Sequence, residues 1–572
     1  MKSLALVAAL VTLASADPKV QIGERRFTGG AAVTAIAVCS PDRALSVEMY
    51  GPRTYQWKLP GGELAGTLGT LDKEQGFVAC EGDLALAGNF EQTTLYRGSS
   101  AIASAPIKDA IGGTIAGGRA YVFADGTLYE LSAAGPKPLW KASEQTGFRA
   151  VVRADLVVTW DADGVVWSTA KRTTRIAMPA EVVTAADVGD GIAIVDKRGD
   201  ARVLTEPKLP AVIAHVDPEK LGDIRSIGGN RAWLAVGTYD AKLVQIARKT
   251  GKALPPLELV PPRMSRGLLA IAVAGERWLV GTDDNRIVPV ALGATSFTRP
   301  AIAGHDQLIW ALAFDATSLV SGSSDDTVRV HALDGKLLRE MENAESRPYS
   351  SVGLTPDLIW ARDDYDHLQR WWRKKKPALP TIESIGAAAA LDGKRLAVMH
   401  RGALGVLDLA SGTVRPVPGS PPKVSDAKLA AAGNLVAMYS GTFPGPLLVV
   451  DVTSGTIVAS LAIAEIDAIA FTADASRLAI SADRKIQIWT RAGGKLTAGG
   501  EHPKRISSLA FAADGRLASG DWNGTIRIWA PGVTKPTSEI AAHLGRIDAL
   551  VWKGKQLASA ASDYQVKVWD VP

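Results

Sequence analysis

Two stretches near the end of the chain, RISSLAFAADGRLASGDWNGTIRIWA at 505–530 and RIDALVWKGKQLASAASDYQVKVWDV at 546–571, repeat one pattern. Each has an alternating apolar run, a small-residue turn, a second run, a tight Asp/Asn turn and a third run that closes on Trp529 or Trp569. Apolar residues at every second position over such short segments indicate β-strands with one buried face. A unit of about 40 residues cannot bury its own sheet, so the pattern predicts an array of such units.

Four side chains of the second copy carry a resemblance to a known family. His543 stands at its start, Ser559 in its middle strand, Asp563 in its turn and Trp569 at its end, before an Asp. With these residues the chain resembles the WD-repeat β-propeller family, and we expect an exported member of bacterial type. The resemblance implies that the four side chains form a buried hydrogen-bonded set that fixes each blade, which is a structural role.

The turn residue stands six positions before the terminal Trp, and this spacing recurs in the second half of the chain. The further pairs with this spacing are Asp483 with Trp489, Asn523 with Trp529, and Asp325 with His331. His305 opens the last of these units. That unit therefore keeps the His and the turn but has a His where the terminal Trp would stand.

The same three-strand phrase can be traced along the whole chain with falling fidelity toward the N-terminus. Seven phrases lie in the first half and seven in the second, and each occupies about 40 residues. We therefore expect an all-β chain with two tandem seven-bladed β-propellers of four-stranded antiparallel blades, at residues 17–293 and 294–572. A single open solenoid is the alternative, and it is disfavoured because the terminal repeats lack polar capping character.

Ring closure predicts which segments complete the blades. The sequence stops at Pro572, directly after the third strand of the final phrase, so another segment must supply the fourth strand. We assign this role to ATSFTRPAIA at 294–303, and we assign VQIGERRF at 20–27 to the closure of the first propeller. Closure of a ring removes strand edges that would otherwise pair with other chains.

The first sixteen residues, MKSLALVAALVTLASA, have a Lys, an apolar run and a terminal Ala-Ser-Ala, as cleaved secretory signals do. We expect an extracytoplasmic monomer, periplasmic or secreted, with no transmembrane segment, because no later run reaches about 20 apolar residues. An uncleaved N-terminal anchor is the alternative. A net charge of +5 on 572 residues argues against a nucleic-acid partner.

The sequence lacks the common catalytic and metal motifs, among them G-x-S-x-G, H-E-x-x-H, G-x-x-x-x-G-K and C-x-x-C. We expect no metal site and no cofactor. Two function classes remain: a non-enzymatic scaffold that binds protein or peptide partners on propeller faces, and a propeller enzyme of the quinoprotein or lyase type with a central-channel site. The innermost strands are rich in Ala, Ile, Leu and Ser rather than in convergent ionisable residues, which favours the scaffold.

The resemblance selects one face of the second propeller for partner binding, the face with the turns between strands two and three and the first residues of the inner strands. The candidate partner-binding residues on it are Trp310, Tyr365, Asp467, Trp522, Asp548 and Tyr564. Aromatic rings near turn tips have little core to enter and often dominate interface energies. The two carboxylates favour a partner that bears Lys or Arg. The alternative is that these rings pack between blades.

Two further features are open to two interpretations each. The run RWWRKKK at 370–376 could hold an anionic polymer or lipid headgroups, but we favour a blade Trp followed by a solvated Lys loop. Cys39 and Cys80 are the two cysteines and stand at equivalent positions of neighbouring phrases. In an oxidising compartment they would form a disulfide between blades, whereas two buried thiols are expected if their Cα atoms stay beyond about 7 Å.

Overall fold

The computed structural model describes residues 18–22, 33–48, 53–59, 61–70, 76–89, 91–144, 147, 149–260, 267–284, 286–297, 304–305, 307–419, 426–440 and 445–571. These residues are almost entirely β-strands, with one short helix, α1 (Pro218–Leu221). The predicted all-β class with four-stranded antiparallel blades is confirmed. The predicted signal segment, 1–16, lies outside the described residues.

The chain divides into two compact units. One comprises residues 25–301 and is called the N-ring; the other comprises residues 302–572 together with the first 24 residues and is called the C-ring. Among the described residues each unit contains seven antiparallel sheets, which we number N1–N7 and C1–C7 in chain order. In each sheet the first strand of the phrase is innermost.

The described N-ring strands, sheet by sheet, have the following bounds. N1 contains β2 (Val33–Ser40), β3 (Arg43–Glu48), β4 (Arg53–Lys58) and β5 (Leu64–Thr70); N2 contains β6 (Phe77–Glu81), β7 (Leu84–Gly88), β8 (Thr93–Arg97) and β9 (Ser100–Ala105). N3 contains β10 (Ala110–Ala116), β11 (Arg119–Ala124), β12 (Thr127–Ser132) and β13 (Gly135–Lys141); N4 contains β14 (Ala150–Val152), β15 (Leu156–Asp161), β16 (Gly164–Thr169) and β17 (Thr173–Ala177). N5 contains β18 (Val182–Asp187), β19 (Ile192–Asp196), β20 (Asp200–Leu204) and β21 (Ala214–His215); N6 contains β22 (Ile224–Gly229), β23 (Trp233–Thr238), β24 (Lys242–Ala247), β25 (Lys252–Ala253) and β26 (Leu257–Glu258). N7 contains β27 (Leu268–Ala274), β28 (Arg277–Thr282) and β29 (Ile287–Ala291).

The described C-ring strands follow the same order. C1 contains β30 (Ile309–Phe314), β31 (Ser318–Ser323), β32 (Thr327–Ala332) and β33 (Leu337–Glu342); C2 contains β34 (Tyr349–Leu354), β35 (Leu358–Asp363) and β36 (Leu368–Trp372). C3 contains β37 (Ile385–Ala390), β38 (Arg395–His400), β39 (Ala403–Asp408) and β40 (Val414–Pro416); C4 contains β41 (Ala427–Ala432), β42 (Leu435–Ser440), β43 (Leu447–Asp451) and β44 (Ile457–Leu461). C5 contains β45 (Ile466–Phe471), β46 (Arg477–Ala482), β47 (Lys485–Thr490) and β48 (Lys495–Glu501); C6 contains β49 (Ile506–Phe511), β50 (Leu517–Asp521), β51 (Thr525–Trp529) and β52 (Ser538–Ala541). C7 contains β53 (Ile547–Lys553), β54 (Gln556–Ala561), β55 (Val566–Asp570) and, from the start of the chain, β1 (Val20–Ile22).

Closure of the C-ring differs from the prediction. Strand β1 pairs antiparallel with β55, with Val20 opposite Val568 and Ile22 opposite Val566. Strand β1 therefore occupies the fourth-strand position of C7, for which we predicted residues 294–303. We had predicted that residues 20–27, which include β1, close the N-ring instead. Within the predicted segment, Ala294 and Phe297 pack against the N-ring core, and 298–303 lie outside the described residues. The prediction that a distant segment supplies the fourth strand of C7 is confirmed, but the prediction that this segment is 294–303 is wrong.

The core of each ring lies between neighbouring sheets. Second strands such as β31 (SLVSGS) and β50 (LASGD) are buried throughout, because a sheet packs on each of their faces. C1 and C7 share one apolar cluster in which Ile309 and Leu319 pack with Ala558 and Val566, so the last sheet of the ring contacts the first. Small side chains are needed where sheets approach: a Cβ on Gly520 would lie 2.6 Å from Ile547. Tight packing of this kind explains the small residues within the second run, such as Ala518, Ser519 and Gly520 of β50.

Candidate functional site

Sheet C7 contains a complete buried polar set. The Nδ1 atom of His543 lies within hydrogen-bond distance of the Asp563 carboxylate (2.9 Å), and its Nε2 atom lies 2.7 Å from the Ser559 hydroxyl. Trp569 Nε1 donates to the same hydroxyl (2.8 Å). These four side chains join the start of the phrase, its middle strand, its turn and its last strand. Because buried polar groups are expensive to leave unpaired, the set fixes the sheet.

Sheet C6 builds the same set with a different carboxylate. His502 lies 2.6 Å from Ser519, and Trp529 donates to Ser519 (2.7 Å), but the carboxylate facing His502 belongs to Asp521 (3.4 Å). The predicted residue, Asn523, instead lies in the turn and donates its backbone N–H to Asp521 (2.9 Å). The six-residue spacing therefore selected Asn523 in this sheet, whereas the acidic residue of the set is Asp521, two positions earlier.

Sheets C1 and C5 depart further from the set. In C1, His305 contacts Asp325 (2.9 Å) and Ser321 (2.7 Å), and His331 occupies the Trp position, 3% exposed. Burial, with the nearby His305 and Arg329, lowers the pKa of His331 to about 4, so this imidazole is neutral.

In C5 the predicted pair does not assemble. Trp489 is buried, whereas the side chain of Asp483 is 66% exposed and faces Arg484. No His opens this unit, because residue 462 is Ala where His502 and His543 stand in the next two sheets. The prediction that Asp483 belongs to a buried set is wrong, since without the His nothing holds the carboxylate inward.

Arginine and tryptophan side chains alternate across sheets C6, C7 and C1. Arg505 lies over the ring of Trp522 (5.5 Å from guanidinium carbon to ring centroid), and Arg546 lies over Trp522 (5.5 Å) and Trp310 (5.3 Å). We call these four residues the Arg–Trp ladder. Guanidinium groups within about 6 Å of a ring centroid are attracted by its quadrupole. The ladder therefore ties three sheets together on the face predicted to bind partners.

The local structure explains why these side chains meet. Arg505 and Arg546 directly precede the inner strands β49 and β53, and Trp522 follows β50 in the adjoining turn. The backbone N–H of Trp522 donates to the Arg505 carbonyl (3.0 Å), which holds the turn beside the strand start. Trp522 remains 44% exposed, whereas Trp310 is half-buried and donates to Ser324 (2.6 Å).

The two predicted carboxylates are engaged within the protein. Asp467 accepts two hydrogen bonds from Arg505 (2.9 and 2.5 Å), and Asp548 accepts one from Arg546 (2.6 Å). The Asp548 side chain is 3% exposed, and burial raises its pKa to about 6 against the opposing effect of Arg546. The expectation that these groups attract a Lys or Arg of the partner is therefore corrected: their charges serve to hold the ladder arginines.

The two predicted tyrosines lie in different environments. Tyr365 is 64% exposed, with Arg347 over its ring (4.8 Å), so sheet C2 repeats the pairing of an arginine with a turn aromatic. Tyr564 is only 5% exposed and has a positive φ of 61°. Its ring is not available to a partner, and its place in the candidate surface is corrected. The arginines of this surface were missed, although both quoted repeats begin with one of them.

In the N-ring, Cys39 and Cys80 form a disulfide with their Cα atoms 4.9 Å apart, between sheets N1 and N2. Among the described residues no group of three His, Cys, Asp or Glu side chains is arranged to hold a metal ion. No helix in the described ranges is both long and apolar enough to cross a membrane.

Comparisons with known proteins point to the same kind of repeat. Residues 297–331 and 495–530 match the model of the family "WD domain, G-beta repeat". The chain is 26% identical over 307 residues to the 66 kDa stress protein of Physarum polycephalum, which covers 47% of each chain. It is 34% identical over 93 residues to the 77 kDa echinoderm microtubule-associated protein of Lytechinus variegatus, over 15% of this chain and 14% of that one. It is 29% identical over 106 residues to the ribosome biogenesis protein YTM1 of Chaetomium globosum, over 16% and 22%.

The described chain is all-β, and its four-stranded antiparallel sheets are consistent with the blades of a WD-repeat β-propeller. The matches support a WD-repeat family, and the chain spans less than half the length of the curated relatives it matches. These relatives come from eukaryotes, so the prediction of an exported bacterial-type member stays a prediction.

Proposed function

We propose that the protein is a non-enzymatic extracytoplasmic scaffold that captures a protein or peptide partner on the Arg–Trp ladder of the C-ring. The ladder is the observation that carries the proposal. Its rings and guanidinium groups are held in place before any partner arrives, and aromatic and Arg side chains are the residues that most often dominate binding energy. The disulfide between N1 and N2 supports the extracytoplasmic location, because such bonds persist in oxidising compartments.

The ladder also defines the chemistry of the partner. Asp467 and Asp548 are paired inside the protein, so the groups that face solvent are the indole of Trp522 and the guanidinium of Arg505, whose side chain is 47% exposed. A partner segment that lays an apolar or aromatic side chain on Trp522 and offers a carboxylate or carbonyl to Arg505 fits this surface. Such an Arg, already aligned by Asp467, loses little side-chain entropy on binding.

The test compares capture of envelope proteins by the mature wild-type protein and by Trp522→Ala, alone and with Trp310→Ala. Loss of a central aromatic anchor costs about 2 kcal/mol or more, so we expect at least about a thirtyfold loss of affinity for the captured partner. Tyr239→Ala is the matched control, because Tyr239 is 42% exposed beneath Arg225 (4.9 Å) in the N-ring. Unchanged capture by a Trp522→Ala protein with native melting behaviour would contradict the proposal.

A further inference from the structure

Sheet C2 is the one sheet of the C-ring that has three strands among the described residues. Its outermost strand is β36, which pairs with β35 on one side. On the other side Leu368 exchanges backbone hydrogen bonds with Ile382 (2.8 and 2.9 Å), and there the pairing ends. Because outward and inward residues alternate along an antiparallel strand, Arg370 and Trp372 direct their backbone groups away from β35, as Leu368 does. The described chain adds no strand to them, although the Trp372 carbonyl accepts a hydrogen bond from the Arg339 guanidinium (2.8 Å).

A cavity of about 500 Å³ lies at this edge, lined by β36, Arg339 and residues 373–379 and 381. The cavity is lined by no carboxylate and by six cationic side chains, those of Arg339, Arg370, Arg373, Lys374, Lys375 and Lys376. Arg373 is engaged by Asp315, and Arg370 donates to the carbonyls of Leu409 and Pro380. The three lysines are exposed at the rim, with the Lys376 ammonium 4.1 Å from the ring centroid of Trp372.

We propose that this edge binds an acidic peptide segment in extended conformation, which adds to β36 as the fourth strand of sheet C2. The outward backbone N–H and carbonyl of Arg370 and the N–H of Trp372 supply the strand pairing, as in other cases of strand addition. The lysines supply the charge that selects Asp or Glu at the side-chain positions facing the rim. The site is separate from the Arg–Trp ladder, so the proposal goes beyond the scaffold function.

Two features of the edge favour a peptide over another polyanion. A polyphosphate or an acidic polysaccharide can pair with the lysines but has no backbone amides to complement those of the strand. The remaining sheets of the C-ring have a fourth strand at this place, supplied once by the distant segment β1, so the geometry accepts a strand that is not continuous with its neighbours. Lysines at an open edge also discourage pairing with uncharged strands, which restricts the edge to acidic ones.

The experiment uses the full chain and a fluorescent decapeptide of alternating Thr and Glu, measured by fluorescence anisotropy at low and high salt. Thr favours the extended conformation and Glu keeps the peptide soluble. We expect binding that weakens as salt rises, and a loss of at least tenfold when every Thr amide of the peptide is N-methylated, because N-methylation removes backbone donors while the charge stays the same. This comparison needs no variant protein.

The variant Lys374→Ala/Lys375→Ala/Lys376→Ala should bind the peptide about tenfold more weakly. The matched control is Lys394→Ala/Lys428→Ala/Lys555→Ala, which removes three exposed lysines elsewhere in the C-ring and should bind like wild type. Equal binding of the N-methylated peptide, or equally tight binding of polyphosphate, would show a general polyanion site and overturn strand addition. No binding at low salt, or an equal loss in both triple variants, would overturn the proposal as a whole.

Discussion

The N-ring and the C-ring build the same kind of sheet but use different polar contacts to hold it. In the C-ring, His–Ser–Asp sets lie buried in C1, C6 and C7. In the N-ring the first sheet keeps only the Trp–Ser half, with Trp57 donating to Ser46 (2.8 Å). Other described N-ring contacts are the disulfide between N1 and N2 and a buried ion pair of Arg202 with Asp196 (2.8 Å). The alternating apolar pattern therefore specifies the sheet, and the buried polar contacts are interchangeable.

The largest expected effect concerns the disulfide. Replacement of Cys39 and Cys80 by Ser should lower the stability of the N-ring by about 4 kcal/mol, because the bond closes a loop of 41 residues. Hydrogen-exchange mass spectrometry should show faster exchange in β2–β9 and unchanged exchange in β53–β55. Thiol titration of denatured, unreduced protein supplies the control, and two free thiols there would remove the basis of this prediction.

The next effect tests the complete set of C7 against the incomplete unit of C5. Asp563→Ala leaves the buried Nδ1 of His543 and the backbone N–H of Leu544 without this acceptor and should cost about 3 kcal/mol. Asp483→Ala, at the same distance from its Trp, removes an exposed carboxylate and should change stability by less than about 0.5 kcal/mol. Calorimetry of the two variants measures this difference as a change in melting temperature. Similar decreases in both variants would mean that the buried set contributes little to stability.

A third prediction concerns the pH dependence of stability, to which C1 contributes through His331 at the position where C7 has Trp569. The pKa of His331 is about 4 in the folded protein and near 6.5 in the unfolded chain, so the unfolded state binds a proton first as pH falls. Stability should therefore be full above about pH 6.5 and fall by roughly 3 kcal/mol as pH decreases to about 4. His331→Phe should remove this part of the slope, while the contribution of Asp548 stays in both proteins. An identical pH slope in the variant would show that another group is responsible.

The smallest effect concerns the half set of N1. Ser46→Ala removes the hydroxyl that accepts from the buried Trp57 Nε1–H and should destabilise the N-ring by about 1 kcal/mol, measured by denaturant unfolding followed by exchange in β2–β5. Thr67→Ala in the neighbouring exposed part of β5 is the control and should be near neutral. A larger loss in the control than in Ser46→Ala would argue against the role of this bond.

Local patterns allowed much of the fold to be predicted. Alternation over short runs predicted the strands, and the spacing of His543, Ser559, Asp563 and Trp569 identified residues that the structure brings together. Asp521 was missed because in C6 the carboxylate comes from the last residue of the middle strand, two positions before the turn position that Asp563 holds in C7. Tyr564 was misplaced because its positive φ redirects the side chain, which residue type alone does not reveal.

The candidate site was harder to predict, because its contacts cross between sheets. Arg546 lies between Trp522 of one sheet and Trp310 of another, more than two hundred residues apart in sequence. No period along the chain encodes such a contact; it follows from ring closure, which brings C7 against C1. Asp467 pairs with Arg505 of the next sheet, whereas Asp548 pairs with Arg546 two residues away in sequence. Both carboxylates were nevertheless expected to be free for a partner, because residue type alone does not show which cation each one meets.

Strand β1 also has a consequence for the order in which the protein assembles. During synthesis from the N-terminus, residues 20–22 are made before the whole N-ring, and their partner β55 is made more than 540 residues later. In sequence, the N-ring therefore lies between two strands of one C-ring sheet, and that sheet cannot be completed until both rings have been synthesised. Pairing of β1 with β55 must wait for the synthesis of residues 566–570, and long-range contacts of this kind form slowly because they close a long loop. A chaperone that shields this short N-terminal segment would therefore act on the C-ring, although it binds ahead of the N-ring.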